Sequence, residues 1–273
     1  MGKFDNIFIV SDIDFTFLAK DRSIPARNLE ALEYFKKEGG RFTFGTGRSH
    51  LTLAHAFPNA AELLNAPAIV SNGCYLYDYR KALMIDPRYL EKELAKKVGR
   101  FVLESLPGTG LRILTSNETI YSSVNKYIEH EISLAWYLNN PIFQDPKDWT
   151  ADNWFKMVVR DDPDKLDILR EKMEAEFDCG ELELCKSEAD FFEIQPKGCN
   201  KGRGLEYLRT AHTVNGAKPT IYACGDYEND LTMLAAADVA VCPSNAHDKV
   251  KKIADMCLCS CDEGVIGELI DKL

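Results

Sequence analysis

The sequence predicts an α/β fold in which a doubly wound parallel sheet is interrupted by an inserted α+β module. Short apolar segments alternate with helical ones at both ends of the 273-residue chain, as in consecutive β-α-β units. Between about residues 84 and 194 this alternation gives way to paired strands and separate helices, which is typical of an antiparallel sheet. Polar residues also follow the apolar strands directly, at the edge where open sheets of this class bind ligands.

The first strand covers residues 7–11, an apolar run of the kind that is buried on both faces of a parallel sheet. It ends at two acids, Asp12 and Asp14. Alternate residues of an extended chain point the same way, so the two carboxylates converge beyond the strand if the chain stays extended. Acids at so apolar a site need a cation or hydrogen bonds to offset their charge. The alternative, which this stretch alone leaves open, is an Asx turn that closes the strand.

The rest of the first segment, up to residue 83, repeats the alternation of strands and helices. A helix capped by Ser23 is expected to end at the glycines at 39 and 40. The other expected elements are strands at 41–44 and 68–71, a helix at 49–57 and part of a hairpin at 75–77. Thr46, Gly47 and Arg48 form the turn after the second strand, and Asn72 follows the third.

The middle module is expected to be a domain of its own, residues 84–194, inserted into a core made of residues 1–83 and 195–273. Its expected helices are 89–106, 124–138 and 163–177, the last of them capped by Asp162. Its expected strands are 111–115, 119–122, 154–159, 182–185 and 191–194, and residues 154–159 are expected to alternate between the two faces as a half-buried strand does. Core packing, rather than a place on a lid over a ligand, is the role expected of its tryptophans, Trp136, Trp149 and Trp154.

The first rhythm resumes after residue 202. The expected strands are 220–224, 239–241 and 256–259, and the expected helices are 204–211, 230–237, 246–254 and 265–273. Cys257, Cys259 and Cys261 lie at alternate positions. This spacing predicts a packing stripe of small side chains on one face of a strand, because the sequence offers no further ligand that would complete a zinc site.

Composition limits the classes of partner. The formal net charge of −10 argues against a nucleic-acid-binding surface, which needs a basic field. The sequence has no run of 18 apolar residues and no signal-peptide pattern, so no membrane span is expected and the cytoplasm is the expected location. The nine cysteines are expected to be free thiols in that reducing compartment. A monomer or a homodimer is expected.

A candidate metal site lies at the strand ends. Asp12, Asp14 and Asp226 all follow predicted strands and supply carboxylate oxygens, which suit Mg²⁺ better than a softer metal. Taken alone, residues 226–230 read as an ordinary acidic start of a helix.

Anion-binding groups are predicted at the same edge. The Thr46 hydroxyl and the Gly47 amide can donate hydrogen bonds to an anion, and Lys201 can neutralise a carboxylate or a phosphate oxygen. Taken alone, Lys201 is an ordinary surface lysine, and Arg48 either contacts a substrate or forms an ion pair with a neighbour. Metal, lysine, hydroxyl and amides together describe a phosphoryl-transfer site, where a carboxylate can accept the phosphoryl group.

These residues carry a resemblance to a known family. The chain resembles the haloacid dehalogenase superfamily of phosphatases, in its Cof-like branch with a type C2 cap inserted into a Rossmann-like core. The motif D-x-D-x-T matches residues 12–16, and G-D-x-x-N-D matches residues 225–230. The threonine after strand two matches Thr46, and the lysine after the insert matches Lys201. Four motifs in the right order, each next to its predicted element, are far more specific than any one of them.

The resemblance implies roles for the charged residues. It makes Asp12 the nucleophile and a Mg²⁺ ligand, and Asp14 the general acid and base whose backbone carbonyl also binds the metal. It makes Asp226 a direct metal ligand. Asn229 and Asp230 would support the metal's waters and the lysine from outside the ligand set.

It also implies the groups that hold the substrate. Thr46 and Lys201 would bind the phosphoryl oxygens, and Lys201 would also orient the nucleophile. Gly47, Arg48 and Asn72 complete the predicted substrate-binding set. One position departs from the family pattern, because Phe15 stands where the family usually has glycine. A phenyl group there would narrow the pocket or pack against Phe17, which affects the size of the substrate more than the chemistry.

The expected function is that of a Mg²⁺-dependent phosphatase acting on a small phosphorylated metabolite, such as a sugar phosphate, through an aspartyl-phosphate. Two alternatives stay open at this point. A phosphohexomutase on the same scaffold would return the phosphoryl group to the substrate and release an isomer. A catalytically silent metabolite-binding protein would keep the site without turnover, and Phe15 is the one sequence feature that favours it.

Overall fold

The computed structural model describes residues 2–134, 141–178, 180–213 and 216–273. The chain divides into two compact units, one formed by Met1–Asp86 with Asn200–Leu273 and one formed by Pro87–Cys199. The assignment of a core at 1–83 and 195–273 and a cap at 84–194 stays a prediction about the roles of these units. Trp136 and the part of the predicted helix 124–138 beyond residue 134 lie outside the described residues.

The strands, in chain order, are β1 (Ile7–Ser11), β2 (Arg41–Phe44), β3 (Ala68–Val70), β4 (Tyr75–Asp78), β5 (Leu83–Ile85), β6 (Gly110–Thr115), β7 (Thr119–Ser123), β8 (Ile142–Phe143), β9 (Trp154–Arg160), β10 (Leu182–Glu188), β11 (Phe191–Pro196), β12 (Thr220–Cys224), β13 (Val239–Pro243) and β14 (Met256–Leu258).

The helices, in chain order, are α1 (Ala26–Lys37), α2 (His50–Ala56), α3 (Ala60–Leu63), α4 (Lys92–Ser105), α5 (Lys126–Leu134), α6 (Pro163–Glu176), α7 (Lys201–Ala211), α8 (Leu231–Ala236), α9 (Asp248–Lys251) and α10 (Val265–Lys272).

The first unit is built on a parallel sheet with the strand order β14-β13-β12-β1-β2. Its central strand β1 pairs in parallel with β12 on one side and with β2 on the other. Phe8, Ile9 and Val10 are fully buried, as expected for a strand covered on both faces. The chain order reverses beside β1, which is where sheets of this class bind ligands. The predicted α/β class is confirmed.

The third predicted strand departs from the parallel rhythm. β3 meets the parallel sheet through a single parallel bridge between Gly45 and Ile69. It otherwise pairs antiparallel with β4, which pairs antiparallel with β5. The reason lies in the turn at Ser71–Gly73, where all three residues have positive φ, at 48°, 51° and 85°, and the chain reverses at once. The hairpin predicted at 75–77 is confirmed.

The second unit contains a six-stranded sheet with the order β10-β11-β9-β6-β7-β8, antiparallel except between β7 and β8. One apolar cluster joins this sheet to α4 and α6 and includes Trp149 and Trp154, which confirms core packing for both tryptophans. The alternation expected along β9 is wrong, because the whole strand is buried. Its charged residues, Lys156 and Arg160, are accommodated by ion pairs with Glu193 and with acids that include Asp190.

The two predicted helix caps have different outcomes. Ser23 does not cap α1, which begins after Pro25; the Ser23 hydroxyl donates to Asp21 instead. Asp162 is the N-cap residue of α6, as predicted, but its carboxylate accepts hydrogen bonds from the side chains of Tyr127 and Lys126 rather than from helix amides. In both cases a nearby polar partner competes with the backbone.

The cysteine stripe is wrong too, because Cys257 is exposed while Cys261 is buried. The described cysteines, which exclude residue 179, are free thiols. Among the described residues, no helix combines the length and the apolar character needed to cross a membrane.

Gly73 is a position where the fold requires glycine. Its φ is +85°, and a Cβ atom there would lie 2.1 Å from the carbonyl oxygen of Asn200. Gly108 offers a matched control, because its φ is +81° and nothing lies within 4 Å of its Cβ position. We expect Gly108→Ala to lower the free energy of unfolding by about 1 kcal/mol through backbone strain alone.

Gly73→Ala should cost about 1–3 kcal/mol more, because the backbone carbonyl must also move. Denaturant unfolding of the two variants measures the difference. Equal losses would show that the turn at residues 71–73 yields without cost.

Candidate active site

The site lies where β1, β2 and β12 end. Asp12 follows β1, and its amide donates to the Cys224 carbonyl at the end of β12 over 2.8 Å. Gly225 and Asp226 come next after β12. A Cβ atom on Gly225 would lie 2.4 Å from Cγ of Asp230, so only glycine at this position leaves room for the Asp230 side chain against the turn.

Three buried acids form the centre of the site. Oxygens of Asp12, Asp226 and Asp230 all lie within 4.8 Å of one another. The fully buried Nζ of Lys201 lies between two of them, 2.7 Å from Asp12 Oδ1 and 2.6 Å from Asp230 Oδ1. Three carboxylates against one ammonium leave two excess negative charges in a buried place when all are ionised.

The electrostatics of this cluster favour an additional cation. Burial raises the pKa of Asp12 to about 7, although Lys201 opposes the shift. Burial and the two neighbouring carboxylates raise the pKa of Asp226 well above its usual range. Burial alone would lower the pKa of Lys201, but Asp12 and Asp230 outweigh it and keep the ammonium charged. The carboxylates resist ionisation because the cluster lacks positive charge, and a bound cation would supply it. Since all the available ligand atoms are oxygens, a hard divalent cation fits the cluster.

The three acids differ in how many of their oxygen atoms already have hydrogen-bond partners within the protein. Asp230 Oδ2 accepts hydrogen bonds from the amides of Asp226 and Tyr227, at 2.9 and 3.1 Å, while its Oδ1 binds Lys201. Asp230 therefore braces the lysine and the turn after β12. Asp226 Oδ1 accepts from the Thr16 hydroxyl at 2.8 Å, which fixes the direction of that carboxylate. Asp12 and Asp226 are the carboxylates best placed to hold a cation.

Asp14 has a different partner. Its carboxylate accepts two hydrogen bonds from Arg48, at 2.9 Å from Nε and 2.6 Å from Nη2. Asp12 and Asp14 thus bind different cations, because the chain enters a tight turn at Ile13–Phe17 directly after the strand. Of the two roles left open for Arg48, the structure shows the ion pair. A contact between a metal and the Asp14 backbone carbonyl stays a prediction.

The remaining predicted residues lie on the turns beside β1. Thr46 is buried, and its Oγ1 accepts from the Arg48 amide at 3.1 Å. Its carbonyl accepts from the amide of Asn72, whose Oδ1 in turn accepts from Asn229 Nδ2 at 3.1 Å. Gly47 lies half-buried between Thr46 and Arg48. These hydrogen bonds connect the turn after β2, the turn after β3 and the turn after β12.

Sequence reasoning missed three supporting residues. Thr16 was part of the D-x-D-x-T motif, which could have indicated its bond to Asp226. Asn245 binds the Phe15 carbonyl through Nδ2 and the Cys261 amide through Oδ1, each at 2.9 Å. Arg203 donates to the Gly73 carbonyl at 2.7 Å and forms an ion pair with Asp86. No local pattern indicates the last two.

The comparison with known families agrees with this geometry. The model of the haloacid dehalogenase-like hydrolase family matches residues 9–270. The chain belongs to this family. The predicted superfamily, and with it the hydrolase class, is confirmed.

Similar proteins match over almost the whole chain. A putative phosphatase of Streptococcus pyogenes serotype M6, M6_Spy0533, is 30% identical over 97% of both chains. The pyridoxal phosphate phosphatase YbhA of Escherichia coli is 28% identical over 91% of both. The solved structure of the HAD subclass IIB sugar phosphatase BT4131 aligns with a TM-score of 0.81 at 19% identity, covering 97% of this chain and 98% of that one. The last likeness shows the shared fold.

Lys201 should be essential to the stability of the site. We expect Lys201→Met to lower the free energy of unfolding by about 3–5 kcal/mol, because it leaves buried carboxylates without their cation. The matched control is Lys92→Met, which removes a mostly exposed lysine paired with Asp152 and should cost less than about 1 kcal/mol. Denaturant unfolding in the presence of a chelator measures both. A loss at Lys201 no larger than at Lys92 would contradict the electrostatic account.

Mg²⁺ should stabilise the protein through the same carboxylates. At a hundredfold excess over its dissociation constant, the ion should add about 2.7 kcal/mol to the stability of the folded state. Asp226→Asn should remove most of this gain, whereas Asp14→Asn should keep it, because the Asp14 side chain binds Arg48 instead. Thermal unfolding with and without Mg²⁺ measures the gain. An undiminished shift in Asp226→Asn would place the ion elsewhere.

Proposed function

We propose that the protein is a Mg²⁺-dependent phosphatase that hydrolyses a small phosphorylated metabolite through an aspartyl-phosphate on Asp12. The observation that carries this proposal is the position of Lys201, held between Asp12 and Asp230 inside a buried group of carboxylates. A fixed ammonium beside a carboxylate at the ends of parallel strands is what a phosphoryl-transfer site needs.

Asp12 is the proposed nucleophile. Lys201 binds its Oδ1, so the carboxylate has one defined orientation, and Oδ2 is the oxygen that would attack phosphorus. The ammonium also offsets the charge of an incoming phosphoryl group. A divalent cation bound by Asp12 and Asp226, with the Asp14 carbonyl, would neutralise the remaining charge on the phosphoryl oxygens.

Asp14 is the proposed proton carrier, and Arg48 is proposed to hold its carboxylate until the substrate binds. In the free protein Arg48 fixes both oxygens of Asp14. Asp14 must exchange one of these hydrogen bonds for the leaving oxygen before it can transfer a proton. The Arg48 donor released by that exchange can then bind the substrate, so the two open readings of Arg48 become successive states of one residue.

Thr46, Gly47 and Asn72 are the proposed contacts of the phosphoryl group and its surroundings. Thr46 is buried and linked to Asn72 by a backbone hydrogen bond, so the hydroxyl is held on a rigid turn. Asn229 supports this turn through Asn72. Positioned donors of this kind lower the barrier because they need no rearrangement as the charge develops.

The substrate class is proposed from the chemistry of the site and from the similar proteins together. One relative is a pyridoxal phosphate phosphatase, which is consistent with a small phosphomonoester. Sugar phosphates belong to the same chemical class. We propose that the module 84–194 is the cap that reads the leaving group, and that the protein acts in the cytoplasm, where its cysteines stay reduced.

The decisive variant is Asp12→Asn. We expect it to lower phosphate release from a panel of phosphorylated metabolites by at least about 1,000-fold, because the amide cannot act as the nucleophile. The circular dichroism spectrum should be unchanged. Asp21→Asn, at an exposed acid in the same segment, should keep full activity.

Each other outcome has a meaning. Undiminished phosphate release by Asp12→Asn would refute the assigned nucleophile. An isomeric hexose phosphate formed without phosphate release would indicate a mutase. The absence of turnover in the parent protein, with Mg²⁺ bound, would indicate a binding protein.

A further inference from the structure

Phe15 has a backbone conformation and an exposure that the fold does not explain. Its φ is +58°, in the left-handed region that glycine adopts freely and other residues adopt at a cost. Burial of the side chain does not offset this conformational cost, because the residue remains 42% exposed. A glycine here would fold more easily, so the phenyl group calls for another explanation.

Packing within the fold does not provide one. Phe17, which the sequence offered as one possible partner of Phe15, is fully buried, and its ring contacts Phe42, Phe44 and Phe57. In the described part of the chain, no ring contact involves Phe15. The ring therefore contributes little to the apolar core of the first unit.

The position of Phe15 is nevertheless fixed. Its carbonyl accepts a hydrogen bond from Asn245, and the turn that contains it is closed by the Leu18 amide bonding to the Ile13 carbonyl at 2.9 Å. Its neighbours in sequence are fastened as well, Asp14 to Arg48 and Thr16 to Asp226. An exposed aromatic ring is thus held on a rigid turn, directly after the proposed proton carrier.

We propose that Phe15 is a specificity-determining residue whose ring contacts the leaving group and favours phosphate esters of planar aromatic alcohols over saturated ones. This inference rests on the proposed function, since a leaving group protonated by Asp14 lies next to that residue. Aromatic rings prefer offset or edge-to-face contact with one another, which a puckered ring cannot match. The backbone strain is then retained for substrate selection, as at other functional sites.

The test uses two esters that differ only in the ring. Benzyl phosphate and cyclohexylmethyl phosphate have the same number of carbon atoms and similar leaving alcohols. We expect the parent enzyme to prefer the benzyl ester in kcat/KM by about two- to tenfold. Phe15→Gly and Phe15→Leu should bring this ratio close to one, and Phe15→Tyr should keep it.

Two controls separate selection from folding. Tyr34→Leu removes another exposed ring, which packs on Phe4 before the start of β1, at the opposite edge of the sheet from the site, and should leave the ratio unchanged. Phe15→Gly should also raise the unfolding midpoint by about 2–4 °C, because it relieves the strained φ. A merely structural role of Phe15 predicts the reverse, a lower midpoint with an unchanged ratio.

Measuring the affinity of the two esters tests the inference even when the enzyme does not hydrolyse them. If the parent hydrolyses neither ester, the proposed function is in question, and the affinities of the two esters for the Asp12→Asn variant decide about Phe15. Tighter binding of the benzyl ester that is lost in Asp12→Asn with Phe15→Gly supports the inference. Equal affinities, binding of neither ester, or a ratio unchanged by Phe15→Gly overturns it.

Discussion

The ion pairs of Lys201 are the constraint on which the first unit depends. The lysine joins Asp12, which follows the first strand, to Asp230, more than two hundred residues further along the chain, with both nitrogen–oxygen distances below 3 Å. Burying an ammonium is tolerable only when its partners are correctly placed. The chain just after β1, which carries Asp12, and the turn after β12, which carries Asp230, must therefore keep their positions relative to the buried lysine.

The same interaction does not balance the charge of the site on its own. Two excess negative charges remain around a single ammonium, and burial opposes the ionisation of Asp12 and Asp226. A divalent cation would relieve this imbalance and would make the site attractive to phosphate. Net charge thus says little about the preference of an individual pocket.

The sequence sufficed for features that depend on neighbouring residues. β1 was predicted because an apolar run followed by acids has few other readings, and the carboxyl-end residues Thr46 and Asn72 followed from the strand pattern. Asp226 followed from the same strand pattern, and the order of the motifs supported Lys201. These signals are short stretches of sequence, and the α/β class explains why the residues they indicate meet at one edge of the sheet.

Features that depend on distant partners could not be predicted. The pairing of Arg48 with Asp14, rather than with a ligand, is decided by the turn at Ile13–Phe17. The buried Lys156 was hidden by the expectation of an alternating strand, because its partner Glu193 lies on a different strand. The reversal at β3 depends on left-handed conformations at Ser71 and Asn72, which non-glycine residues rarely adopt.

Arg203 has a consequence for how this protein could diversify. It connects the Gly73 carbonyl to Asp86, the last residue before the chain leaves the first unit, and it lies on the helix that begins just after the chain returns at Asn200. Exit and re-entry are thus fastened to one another within the parallel-sheet unit itself. Domain insertions are tolerated where the ends are held close in this way. A foreign module could be grafted between these two points while the strands that carry the chemistry keep their register.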